Sequence, residues 1–102
     1  MKRPKREVRL LSIAQDDLYD VITYIAADNP AAAESMASKI EQSLIKLTKH
    51  PKLGRIPREA ELAKLGYRYL VKDDYLIFYT IEGGSILVHR IIHGARDYGA
   101  VL

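Results

Sequence analysis

The 102-residue chain has no cysteine, so it forms neither a disulfide framework nor a thiolate metal site. That composition is compatible with a reducing compartment. No apolar run approaches the ~20 residues of a membrane-spanning helix. The basic start leads into a charged, strand-like segment rather than a signal h-region, so a soluble cytoplasmic protein is expected. Catalytic signatures are scarce too. The chain lacks G-x-S-x-G, a Walker loop, G-x-G-x-x-G and H-E-x-x-H. Histidine is limited to His50, His89 and His93. On a regular strand His89 and His93 share a face about 13 Å apart, too far to chelate one ion. No metal and no cofactor are expected.

What is present is a strong charge asymmetry within a net charge of +3. Residues 1–6 hold Lys2, Arg3, Lys5 and Arg6 and no acid, whereas residues 7–45 carry a net charge of −5. Residues 46–72 hold Lys46, Lys49, Lys52, Arg55, Arg58, Lys64, Arg68 and Lys72 against Glu59 and Glu61, a net of +6. A clustered basic segment suits an anionic partner, nucleic acid or an acidic protein; the alternative is a solvated loop with ordinary lysines.

The length fits one domain. Residues 1–6 lack periodicity and read as a flexible arm before a single domain over 7–102. Residues 7–13 read as a short strand with Val8, Leu10 and Ser12 on one face. Ser12 and Gln15 fit a capping box, and Asp16, Asp17 and Asp20 near the helix start complement its dipole. A helical stripe follows at Ala14, Leu18, Val21, Ile22 and Ile25. Asn29 and Pro30 suit an N-cap and first helical position, opening a second helix to about Lys49. Its core face is Ala33, Met36, Ala37, Ile40, Leu44 and Leu47, and His50-Pro51 stops it. Two amphipathic helices joined so tightly predict an antiparallel hairpin.

Residues 51–66 read as a loop, with a possible helical turn over 58–65. Three β-rich runs then follow, separated by Asp73-Asp74 and by Glu82-Gly83-Gly84-Ser85, both hairpin signals. The middle run places Tyr75, Ile77, Tyr79 and Ile81 on one face and Leu76, Phe78 and Thr80 on the other; both are largely apolar, so it is expected to be central and covered by the helices on at least one side. The expected class is α+β: an N-terminal strand, an antiparallel helical hairpin packed on one sheet face, and a three-stranded antiparallel meander.

Candidate chemistry gathers in the last third. His93 is a candidate general acid or base, because an imidazole titrates near neutrality. Arg90 shares a predicted strand face with Ile86, Val88 and Ile92, and is expected to pair with Asp17 or Asp20 or to face a groove. Were Arg68, between Tyr67 and Tyr69, and the tail residues Arg96 and Tyr98 to converge with His93, they would form a single patch. Such a cationic, aromatic-edged patch would hold a phosphate, stack a base or receive a partner's acids.

Three stretches carry a family likeness: A-Q-D-D-L-Y-D-V-I-T-Y-I-A in the first helix, L-T-K-H-P-K-L-G-R after the second, and Y-R-Y-L-V…Y-L-I-F-Y…I-L-V-H-R-I-I-H-G-A-R-D in the meander. In this order, over residues 7–98, the chain resembles the RelE/ParE superfamily of bacterial type II toxins. The resemblance implies one of two activities on one fold: messenger-RNA cleavage in the ribosome, or poisoning of DNA gyrase. The H-P-x-L-G-R and I-I-H-G-A-R-D wording is similar to the ParE-like branch. For a RelE-like nuclease the working set would be Arg68, His93, Arg96 and Tyr98. However, Tyr98 follows Arg96 too closely, no arginine precedes the middle strand, and Gly94 follows His93 where the YoeB-like branch has tyrosine. The expectation is therefore a gyrase-inhibiting toxin neutralised by a ParD-like or other short, partly acidic antitoxin laid across the hairpin and sheet. The residues expected to meet antitoxin or target are Lys46, Lys49, Lys52, Arg55, Arg58, Arg68, Arg90, His93 and Arg96. An mRNA endonuclease and an inactive binding protein of the same fold are the alternatives.

Overall fold

The computed structural model describes residues 7–94 and Leu102. The basic arm at residues 1–6 and the candidates Arg96 and Tyr98 lie outside the described residues. Strand β1 (Glu7–Leu10) leads into helices α1 (Ser12–Asp28) and α2 (Pro30–Lys49), the short helix α3 (Ala60–Lys64), and strands β2 (Arg68–Lys72), β3 (Tyr75–Glu82) and β4 (Ser85–His93). The four strands form one sheet in the order β1-β4-β3-β2, with β1 parallel to β4 and the remaining pairs antiparallel.

The first strand is shorter than expected, and the capping box does not form. The Leu11 N–H still donates to the Val88 carbonyl at 3.0 Å, so Leu11, in extended conformation, is the N-cap of α1. Ser12 is thereby already helical and its hydroxyl cannot occupy the cap position. Gln15 instead donates its side-chain amide to the Leu10 carbonyl. With the start fixed there, Asp16, Asp17 and Asp20 fall beyond the first turn, where the helix dipole has little effect.

The hairpin matches its sequence signals. The Asn29 N–H closes α1 on the Ile25 carbonyl, while its Oδ1 accepts from the Ala32 N–H to cap α2. Ala14 and Val21 of α1 and Ala33, Met36, Ile40 and Leu47 of α2 are buried. They pack on Ile77, Tyr79, Ile86, Val88 and Ile91 of the sheet. Ser43 joins the buried stripe by donating its hydroxyl to the Lys39 carbonyl, which satisfies the polar group.

A β-bulge changes the reading of β4. Tyr79 pairs with Val88 but Phe78 pairs with Arg90, which leaves His89 as an extra residue on β4. The extra residue reverses the alternation, so Ile86, Val88 and Ile91 all reach the helix-side core. Arg90 consequently lies on the face opposite Ile86 and Val88, contrary to the regular-strand expectation, and His89 and His93 no longer share a face.

Candidate binding surfaces

The loop after α2 is built around Tyr79, a fully buried side chain. Its hydroxyl donates to the Pro51 carbonyl at 2.6 Å and accepts the Gly54 N–H at 2.8 Å. Burial pushes the Tyr79 phenol pKa up, against the lowering effects of the Gly54 N–H and the Arg68 charge, so it remains a donor. Arg68 donates from Nη1 to the Gly54 carbonyl at 3.0 Å and approaches the Lys52 carbonyl at 3.4 Å. Arg55 and Tyr69 exchange two backbone hydrogen bonds, which ties the loop to the edge of β2. The H-P-K-L-G-R stretch is therefore a fixed platform.

That platform displays Lys49, Lys52, Arg55 and Arg58 to solvent, with Lys46 exposed on the adjoining turn of α2. Ile45, Leu53 and Ile56 are exposed among them, and a shallow cleft of about 530 Å³ runs along residues 49–53. Cations interleaved with apolar side chains on a rigid support can receive an acidic, amphipathic segment.

Among the described residues, Arg68 and His93 do not come together as such a cationic patch would require. Arg68 pairs across the sheet with Tyr79, whereas His93 pairs with Tyr75. Four residues of strand, about 13 Å, separate those positions. Arg68 is engaged with loop carbonyls, a supporting role absent from the sequence reading. His93 packs edge-on against Tyr75, with centroids 5.5 Å apart, in a cleft also lined by Asp20, Asp73 and Asp74. Arg90 is buried and pairs with Asp17, one of its two expected partners. It is therefore part of the interior and cannot belong to the exposed contact set.

Asp17 has a second duty. Beside accepting from Arg90 Nε at 2.7 Å and Nη2 at 3.0 Å, it accepts the Ile91 N–H at 3.0 Å. β1 pairs only with residues 85–88 of β4, and the Asp17 carboxylate supplies an acceptor for Ile91 beyond that point. The ion pair holds the Arg90 pKa above its ordinary value, burial opposing.

The bulge residue His89 sits in a polar chain that the sequence gives no sign of. Thr80 Oγ1 donates to Glu82 Oε1 at 3.3 Å and shares a hydrogen bond with His89 Nε2 at 2.8 Å, while His89 Nδ1 shares one with the Tyr67 hydroxyl at 3.4 Å. Tyr67 also packs edge-on against the ring. Burial pushes the His89 pKa below 6.5, with Glu82 opposing. The unfolded chain therefore binds a proton more readily than the folded one. The neutral ring's contribution is complete above pH 6.5 and is lost as the pH falls through that value toward the lower folded one. Thermal melts from pH 7.5 to 5.5 should show a falling Tm, and His89→Gln should flatten that slope. An unchanged slope would remove His89 as its source.

Among the described residues no group of histidines and acids is placed to hold a metal ion, and no helix is long and apolar enough to cross a membrane.

The family model of the ParE toxin of type II toxin–antitoxin system, parDE, matches residues 8–98. The chain belongs to the ParE toxin family. The β-α-α-β-β-β order and four-stranded sheet of this ParE-family chain recur in solved structures. One, described as the chromosomal ParDE TA system from P. aeruginosa, superposes with a TM-score of 0.71 at 17% identity, covering 87% of this chain and 96% of that one. Another, the toxin–antitoxin complex RelBE2 from Mycobacterium tuberculosis, gives a TM-score of 0.62 at 22% identity, covering 88% and 99%. At such identities these two establish the shared fold alone. No curated protein sequence matches the chain significantly.

Proposed function

We propose that this ParE-family chain is the toxin of a type II toxin–antitoxin pair, that it acts in the cytoplasm on DNA gyrase, and that a short, partly acidic antitoxin neutralises it. The family match over residues 8–98 carries the toxin reading. The gyrase reading draws support from the separation of Arg68 and His93, which leaves a RelE-like nuclease set unassembled among the described residues. Lys46, Lys49, Lys52, Arg55 and Arg58 on the Tyr79-pinned platform are the contacts for antitoxin acids.

Induction in growing cells tests the target. Gyrase poisoning produces broken DNA and a damage response while translation continues at first. Ribosome-dependent cleavage would instead stop translation at once, with codon-positioned cuts abolished by His93→Ala or Arg96→Ala. Absence of any growth defect without the antitoxin would support an inactive binding protein. The electrostatic part has its own readout: the antitoxin's association rate should fall about tenfold or more as salt rises from low to high ionic strength. The combined Lys49→Glu and Lys52→Glu exchange should remove most of that dependence. A salt-insensitive rate would reject the basic platform as the contact.

A further inference from the structure

The ParE-family chain carries a second recessed surface of opposite charge. A cleft of about 710 Å³ opens between the later turns of α1, Met36 of α2, the β2–β3 turn and the end of β4. Its floor is apolar, formed by Val21, Ile25 and Met36. Tyr24, which is 77% exposed, and the half-buried Tyr75 supply aromatic walls. Asp20, Asp73 and Asp74 form an exposed acidic rim. The Gly94 N–H donates to the Asp74 carbonyl at 2.7 Å, so the rim-bearing turn is fastened to the end of β4. Lys39 reaches Asp73 at 3.3 Å, but both side chains are about half exposed, and such a tie is weak and easily exchanged. His93 is the remaining titratable neighbour, and the Tyr75 phenol is pushed up by burial first and then by Tyr24 and Asp74.

We propose that this cleft receives an arginine side chain, flanked by apolar residues, from the antitoxin. A guanidinium can stack on a tyrosine face while its fork engages a carboxylate, and its aliphatic stem covers an apolar floor. The inference rests on the toxin–antitoxin reading and sharpens it. The β2–β3 turn lies at the opposite end of β2 from Arg68 and the loop it supports. One antitoxin segment crossing between them would carry acids at the basic platform and an arginine at the cleft, so its direction along the toxin is set by charge.

The test uses the full chain and capped Leu-Arg-Leu, with the neutral Leu-citrulline-Leu as control. Titration followed by amide and side-chain NMR should give saturable shifts at Tyr24, Asp74, Tyr75 and His93 with the arginine peptide, and at least tenfold weaker binding with citrulline. Asp20→Asn combined with Asp74→Asn should weaken the arginine peptide at least tenfold while the rest of the spectrum keeps its native dispersion. Equal binding of both peptides, or shifts located elsewhere, would overturn the proposal. So would a concentration-dependent dimer abolished by the same double exchange, which would make a second copy the occupant. Co-expression with the antitoxin separates the two levels of the argument. A double variant that is still toxic but harder to neutralise supports the cleft, whereas a variant neutralised as readily as the parent overturns it. Loss of the toxin reading would appear instead as a parent chain with no toxicity to neutralise.

Discussion

Asp17→Ala should lower folding stability by about 3–5 kcal/mol, the usual cost of removing one partner from a buried ion pair. The Asp17 and Arg90 side chains are 12% and 11% exposed, so water cannot readily replace the missing carboxylate. The exchange deprives the Arg90 guanidinium of its carboxylate and also leaves the Ile91 N–H without the Asp17 acceptor. For a domain whose whole stability is of the order of 5–15 kcal/mol, that is a large fraction. Asp17→Asn retains an oxygen for Ile91 and should cost less. Pairing Asp17→Ala with Arg90→Met removes the buried charge that has lost its carboxylate and should recover part of the loss, giving a coupling energy of roughly 2 kcal/mol in a double-mutant cycle. Urea denaturation is the appropriate measurement. A loss below about 1 kcal/mol for Asp17→Ala would mean that the pair contributes no more than a surface bridge.

Gly54→Ala should be nearly as severe, at about 3–5 kcal/mol, combining overpacking with the loss of buried hydrogen bonds. A Cβ at Gly54 would lie 2.6 Å from both Cε1 and the hydroxyl oxygen of Tyr79, and 3.0 Å from the Tyr69 carbonyl. Tyr79 is fully buried and cannot swing aside without releasing Pro51 and Gly54. The platform bearing Lys52 and Arg55 should therefore loosen, so hydrogen exchange at Gly54 and Arg55 should quicken along with the drop in stability. Tyr79→Phe, which removes only the hydroxyl, should cost about 2 kcal/mol. The two exchanges together should cost less than their sum, because part of the clash disappears with the hydroxyl. Additive losses would show that Gly54 and Tyr79 act independently.

These two sites mark the boundary of what the sequence makes legible. Local signals translate directly: Asn29-Pro30 caps α2, His50-Pro51 ends it, and Asp73-Asp74 and Gly83-Gly84 turn the meander. Each depends on neighbouring backbone alone. The stripe from Ala33 to Leu47 is equally readable, because helical period and burial coincide. The bulge is not readable, since I-L-V-H-R-I-I-H fits a regular strand and His89 becomes the extra residue only through pairing with β3. The same pairing separates Arg68 from His93, which the sequence grouped by residue type. The capping box at Ser12 fails for a related reason: Leu11 is held by Val88 of a strand more than seventy residues away. Arg90 lay between these extremes, because an arginine beside apolar strand residues demands a carboxylate, and Asp17 was one of the two acids expected.

Gyrase is the deciding target, and purified components give the most direct measurement. Supercoiled plasmid incubated with gyrase, ATP and this chain should yield linear DNA after detergent and protease treatment, increasing with chain concentration. Added antitoxin should suppress it. Plasmid left intact by gyrase and the chain, together with codon-positioned cleavage of messenger RNA on ribosomes by the same preparation, would contradict the account.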